Sequence, residues 1–363
     1  MIFMMKSWTN LFLELIRVAV GRQDALSRGP SEEEWLRMYD MACEQTVDAV
    51  CFSGIERLPR GQRPPQELLL QWYGVTKQTE YNNRVVDERC QQALQFFKKA
   101  GFHPTILKGL GMARLYDANL NGLGQRRQSG DIDVWLDGGR ERVYQFAKQH
   151  DPEGKLHGVN YHHVHFHLFD DMEVEAHIYP GYLCNPYANR RLQQFFKAHP
   201  SERMGDYPDR AFNIVFILLH CFSHLTGHGV GLRQVMDYYF VLRTEVGQKT
   251  DEGALRGVLK ELGMLRFARG LMWVMQEVFG LEREYVYVEP DEKEGRFILN
   301  EIFQTGNMGH HDKRHWGSLR TPLSRYIYNL RRDWHFLSHY PHEVLWKPFF
   351  SLWLFFHQKF VWK

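Results

Sequence analysis

The residues of this chain best suited to chemistry lie in the run Gly130-Asp131-Ile132-Asp133-Val134-Trp135-Leu136. In an extended strand successive side chains alternate faces, so Asp131 and Asp133 point one way while Ile132, Val134 and Leu136 point into a core. Two carboxylates held that close repel each other unless a cation neutralises them, and hard oxygen ligands favour Mg2+ or Mn2+ over zinc. A second run, Met172 to Ile178, repeats the alternation with Glu173, Glu175 and His177 on one face, and Glu175 can serve as a third acid. An Asp-x-Asp pair with one further carboxylate on the next strand can hold two divalent ions, one activating an attacking oxygen and one holding nucleotide phosphates. Asp-x-Asp alone also serves as a turn or capping pair at a strand start.

Upstream, Thr105-Ile106-Leu107-Lys108-Gly109-Leu110 reads as a short strand entering a helix. Backbone N–H groups at such a helix start, beside an ammonium, make a phosphate site. Lys-Gly is common in turns, so its weight comes from standing one strand and one helix ahead of the Asp-x-Asp run. Taken together, Leu107-Lys108-Gly109, Leu115-Tyr116, Arg127-x-x-Gly130-Asp131-Ile132-Asp133 and Val174-Glu175-x-His177 resemble the uncharacterised bacterial nucleotidyltransferase family of the DNA polymerase beta superfamily. The resemblance spans residues 35 to 280. It implies a small nucleotidyltransferase sheet with Asp131, Asp133 and Glu175 as the catalytic, metal-binding acids and Mg2+ or Mn2+ as the cofactor. It further implies an NTP such as ATP as donor, bound by Lys108, Gly109, Arg127 and Gly130. Lys108 and Gly109 stand where the superfamily usually carries a Gly-Ser pair, so Lys108 would replace the hydroxyl by charge. Arg127 offers a guanidinium fork for phosphate oxygens, and its neighbour Arg126 is expected to face solvent.

Histidines recur in two patterns. His163, His165 and His167 alternate along one expected strand, and a structural role is preferred over a transition-metal site because no cysteine or carboxylate joins them at ligand spacing. Whether they share a face with Glu175 depends on the turn near Asp170-Asp171, since a one-residue slip reverses a strand. His220, His224 and His228 fall on one helical stripe, with Cys221 where a metalloprotease motif would need Glu. Arg233 and Asp237, four apart, are expected to pair across a helical turn. A structural role is preferred for this region over substrate contact, with His224 and Arg233 the members expected to face a nucleotide if any do.

These groups need rigid support, and the hydropathy pattern supplies it. Ser31 followed by Glu32, Glu33 and Glu34 marks a helix start with acidic residues offsetting the backbone dipole. Gln66 to Ala100 has a long helical period, and Leu58 to Pro65, with three prolines, is a connection. From Phe102 to Pro180 short apolar runs with period two mark strands. Helical period returns over Ala211–Leu225, Gly231–Val246 and Glu252–Gly280. The expected class is α+β: a small mixed-sheet nucleotidyltransferase core over 101–208, an N-terminal helical region over 1–100, and a C-terminal helical domain over 209–363.

The formal net charge is only +2, so no global field draws the chain to nucleic acid. Five scattered cysteines signal neither a disulfide framework nor structural zinc. Lys6, Glu14 and Arg17 interrupt the apolar N-terminus, whose Leu11, Leu15 and Val18 fit a helix face, and a cytoplasmic compartment is expected. Residues 325–363 crowd Trp334, Trp346, Trp353, Phe355, Phe356 and Trp362 among Arg331, Arg332, Lys347, Lys359 and Lys363. Such a tail can dock on the protein itself, on a protein partner, or at a membrane surface. The reading reached is metal-dependent transfer of an NMP group from an NTP to an unidentified acceptor, releasing pyrophosphate. Its alternatives are a nucleotide-binding module without catalysis, or a membrane- or partner-associated protein acting through the tail.

Overall fold

Ser31 begins a helix as its neighbours dictate: its hydroxyl accepts from the Glu34 N–H at 3.2 Å while the Glu34 carboxylate accepts from the Ser31 N–H at 2.9 Å. The computed structural model describes residues 7–151, 153–154, 158–200, 205–244, 251–314 and 321–361. The N-terminal helices are α1 (Ser7–Ala19), α2 (Glu32–Glu44), α3 (Asp48–Arg57) and the long α4 (Gln66–Lys99). Then come β1 (Thr105–Ile106), α5 (Leu110–Asn119), β2 (Ile132–Trp135), α6 (Gly139–His150), β3 (His163–Phe166) and β4 (Val174–His177). The chain continues through α7 (Pro186–Ala198), α8 (Arg210–Gly227), α9 (Leu232–Arg243), α10 (Glu252–Glu261) and α11 (Leu265–Phe279). It ends in α12 (Glu292–Thr305), α13 (Pro322–Phe336), the single turn α14 (Pro341–Val344) and α15 (Lys347–Val361). This is the expected α+β class: a small mixed sheet set among many helices.

Two expected elements differ. The pattern over Glu252–Gly280 forms two helices, because Gly263 adopts φ +71° and the Met264 N–H closes back onto the Leu259 carbonyl at 2.9 Å, a glycine-type helix stop. Within the expected strand region α6 intervenes; only Val143 and Ala147 of it are buried, too sparse a stripe to register as a helical period. Residues 245 and 246, at the end of the expected Gly231–Val246 helix, lie outside the described residues.

The sheet order is β1-β2-β4-β3, with β2 and β4 parallel and both outer pairs antiparallel. Its apolar face, from Ile132, Val134, Val164, Phe166, Val174 and Ala176, packs on Val86, Leu94 and Phe97 of α4 and on Val143 of α6. A second, larger core joins α1 to α3 with α8 to α12, so the two ends of the chain bury apolar surface together. The tail docks on the protein itself through one face: Phe350 lies 5.2 Å from Tyr182 and 5.3 Å from Tyr161, ring to ring. Phe349, Leu352, Phe355 and Phe356 are exposed. Among the described residues no helix is long and apolar enough to cross a membrane. Trp362 and Lys363 lie outside the described residues.

The loop leading into β2 is held from three directions. Asn83 of α4 donates to the carbonyls of Gln125 and Arg127 at 2.7 and 2.8 Å and accepts from the Ser129 N–H at 3.2 Å. Arg127 inserts its fork into the interior, where Nε and Nη2 each lie 2.7 Å from a different oxygen of Asp237 on α9, and the Tyr116 hydroxyl of α5 donates to the same carboxylate at 2.9 Å. Asp237 therefore pairs with Arg127, and the expected Arg233–Asp237 pair is not made; across the fold a bidentate fork reaches the carboxylate, which a side chain one turn away on the same helix does not. Arg126 also departs from expectation: it is largely buried, bound to Glu80 at 2.9 Å and to Glu56 and Ser53.

Breaking one partner of a buried pair strands the other charge. Asp237→Ala should therefore lower the unfolding free energy by about 3–5 kcal/mol. Arg127→Met with Asp237→Leu, which strands neither charge, should recover most of that loss. Urea denaturation of the three proteins reads both values, and a double variant no better than Asp237→Ala would show that the pair is not the source of the loss.

Candidate active site

Parallel pairing of β2 with β4 sets Asp133 directly beside Glu175, and antiparallel pairing of β3 sets His165 opposite Glu175 and His163 opposite His177. Of the alternating histidines, His163 and His165 thereby share the face of the acids, while His167 lies past the end of β3. Lys108, at the end of β1, reaches across the same face, its Nζ 2.7 Å from Asp133 Oδ1. His177 Nε2 lies 3.0 Å from that oxygen and 3.4 Å from Glu175 Oε2, and His163 Nδ1 lies 3.2 Å from Glu175 Oε2. Further out Glu173 pairs with His165. Gly109 follows Lys108 at φ +57° and ψ −114°, a conformation L side chains rarely adopt, and this sharp turn brings the helix α5 in directly behind the ammonium.

Charge is unevenly balanced along this face. Burial would raise the Asp133 carboxyl, but the Lys108 ammonium and the His177 bond hold it well below the usual carboxylate range. Burial lowers His177, yet its bonds to Asp133 and Glu175 reverse this and raise it. Asp131, at the rim, is pushed up by its partial desolvation and then by the Asp133 and Glu175 carboxylates. The acidic end thus carries negative charge that Lys108 and His177 neutralise only in part. Asp133, Glu175 and His177 bring one donor atom each within 4.8 Å of one another; Asp131 stands on the same face outside that group. Carboxylate oxygens in this surplus suit a hard divalent cation.

Opposite the acids stands α8, and between them lies a cavity of about 610 Å³. Lys108, Gly109, Arg127, Gly130, Asp131, Asp133, Glu175, His224 and Arg233 all border it. Their access differs. Arg127 is 5% exposed with its fork held by Asp237, whereas Arg233 donates to the Gln128 carbonyl at 2.9 Å and leaves its Nε without a hydrogen bond. Burial and then the neighbouring Arg127 lower the Arg233 pKa, as for a cation short of negative partners. Sequence reasoning missed other wall residues, notably His162, Tyr182, His220, Glu343 and Lys347. His220 was visible in the stripe that contains His224. Glu343 and Lys347 lie far along the chain, and no local pattern marks them: Glu343 caps the Cys184 and Asn185 N–H groups and Lys347 bonds the Thr226 carbonyl at 2.6 Å.

The wall histidines make stability pH-dependent. Burial pushes His163 down to about 4 and His224 to about 3, and lowers His162 and His220 as well. An unfolded chain takes up these protons near the ordinary value of 6.5 while the folded chain resists, so stability falls as pH drops below 6.5. His177, raised, acts in the opposite sense but is outnumbered. Each depressed histidine adds a slope of up to about 1.4 kcal/mol per pH unit. Urea midpoints between pH 6.5 and 5, above the range of most carboxylates, should fall with acid, and His224→Asn should flatten the curve; an unchanged slope would remove His224 from the account.

A family model described as an uncharacterised nucleotidyltransferase matches residues 31–280. No curated protein and no solved structure matches the chain. The matched segment covers more than half of the 363 residues and includes β1 to β4, α8, and every acid and cation expected at the site, while Glu343 and Lys347 fall outside it. The chain belongs to this uncharacterised nucleotidyltransferase family.

Proposed function

We propose that the protein transfers an NMP group from an NTP to an acceptor hydroxyl or phosphate, with Mg2+ or Mn2+ as cofactor and pyrophosphate as the product released. The observation that carries this reading is the pairing of Asp133 and Glu175 on adjacent parallel strands, with Lys108 and Arg233 on the wall of the same cavity. Asp131, Asp133 and Glu175 are the residues that would hold the ion. When bound, it supplies positive charge that lowers the pKa of an acceptor hydroxyl and offsets charge on the α-phosphate.

The remaining work falls to side chains of this chain. Lys108 is a compact cation able to turn from Asp133 to a phosphate oxygen at the mouth of α5. Arg233, with donors to spare, is the guanidinium better placed for phosphate, and Arg127 acts as a positioning residue that holds Gly130 and Asp131 against the cavity. His177 keeps Asp133 and Glu175 oriented toward one another. Catalysis of this kind rests on positioning and charge complementarity prepared before the substrate arrives.

An NTP panel with Mg2+ or Mn2+, read by pyrophosphate release, tests the reading. Asp133→Asn removes a charge with almost no change of volume and should abolish release while the protein stays folded by circular dichroism. Undiminished release would exclude Asp133 as a ligand, and NTP binding by the wild type with no release under any acceptor tried would favour a binding module.

Lys108→Ala should weaken NTP binding much more than NMP binding, because only the NTP carries β- and γ-phosphates. One charge-assisted contact is worth about 1.5–3 kcal/mol, or roughly 10- to 100-fold in affinity. Lys108→Arg should restore part of it. Calorimetric titration of both ligands decides, and equal losses for the two would exclude a triphosphate contact.

A further inference from the structure

Beside the acids, the sheet gathers three imidazoles, two of which take no part in the transfer proposed above. His163 and His177 are direct cross-strand neighbours, and the His162 carbonyl accepts from the Ile178 N–H at 2.7 Å, which fixes its residue at the start of the same ladder. The rings lie 4.5 Å apart for His162 and His163, 5.1 Å for His162 and His177, and 5.3 Å for His163 and His177. One ring nitrogen of each is within 4.8 Å of the other two. His163 is 7% exposed and His177 2%.

The decisive observation concerns their unused nitrogens. Nδ1 of His162 and of His177 is buried and makes no hydrogen bond, and Nδ1 of His163, also buried, meets the Glu175 carboxylate at 3.2 Å without forming a well-directed hydrogen bond. Buried polar atoms are almost always satisfied, so two unsatisfied ring nitrogens on adjacent imidazoles, beside a third imidazole whose nitrogen meets only a carboxylate, fit a shared partner that accepts nitrogen ligands. Imidazole nitrogens are poor ligands for Mg2+ and good ones for zinc, cobalt and nickel, for which three protein ligands and one open position is a common arrangement. Glu175 Oε2, 3.2 Å from His163 Nδ1, offers a carboxylate for that fourth position.

We propose that His162, His163 and His177 form a binding site for a borderline divalent transition-metal ion, Zn2+ or its chemical neighbours, adjoining the carboxylate site and distinct from it in ligand chemistry. The two sites share His177 and Glu175, so an ion on the histidines acts on the carboxylate face through those two side chains.

The test uses the full-length protein without a histidine tag, stripped with a chelator and titrated with Co2+ alone, with no nucleotide or Mg2+ present. The expected result is one equivalent bound with a visible absorption band of nitrogen-ligated Co2+, displaced by Zn2+ and unaffected by excess Mg2+. His162→Asn and His163→Asn should each weaken binding by at least about 100-fold, the upper end of what loss of a residue that merely orients a ligand costs. His150→Asn, a histidine on α6 away from the site, should bind as wild type. Near-UV circular dichroism establishes folding, and His163→Gln carries the test if either asparagine variant unfolds. Absence of Co2+ binding by the wild type, or binding by folded His162 and His163 variants equal to wild type, overturns the proposal. Because the readout involves no nucleotide, this result is separable from success or failure of nucleotidyl transfer.

Discussion

The position of the acidic strand depends on a guanidinium and a carboxylate buried together. Arg127 precedes β2 by a few residues, and Asp237 sits 110 residues later on α9, yet their bidentate contact, completed by Tyr116, joins the strand-leading loop to two helices. Burial disfavours the guanidinium charge, but the Asp237 carboxylate more than compensates and holds Arg127 protonated above its ordinary value. Such a pair tolerates little displacement, because losing either bond leaves a charge in a low-dielectric interior. Asn83 fixes the same loop from α4, so Gly130 and Asp131 are delivered to the cavity by contacts from both sides.

On that support the sheet divides its two faces by chemistry. The apolar face against α4 and α6 is closed by ordinary packing. The other face collects Asp131, Asp133, Glu173, Glu175 and three histidines, groups that no interior would accept without mutual compensation. Lys108 and His177 compensate Asp133 most directly, and Asp131 is pushed up by partial desolvation and then by the neighbouring Asp133 and Glu175 carboxylates. At the far end of the same face polarity ends where Trp135 stacks on Phe212 of α8 at 5.8 Å, which seats the helix that forms the opposite wall.

Closure of the cavity comes from a third part of the chain. Glu343 and Lys347, beyond the segment that defines the family, bridge the β4–α7 connection and α8 by hydrogen bonds to backbone, and Phe350 packs on Tyr161 and Tyr182 just behind them. The aromatic crowding of the tail thus has a structural use on one side of α15. That use ties α15 to the region around β3 and β4.

By itself the sequence determined the acidic face. Strand alternation put Asp131 with Asp133 and Glu175 with His177, Ser31 and Glu34 announced their helix, and the spaced motifs pointed to the family, because all of these are local patterns with a period or a fixed spacing. It did not determine which charges are spent. Arg127 and Arg233 look equivalent along the chain, yet one is consumed by Asp237 and the other keeps donors toward the cavity, a distinction made by distance across the fold. Likewise the histidine row could fall on either face until the β3–β4 register set His163 against His177, and only then did His162 join them. Glu343 and Lys347 entered through packing of helices remote in the chain. Tertiary structure decided these matters because hydrogen bonds and ion pairs act over a few ångströms in space, whereas local pattern reports only neighbours along the backbone.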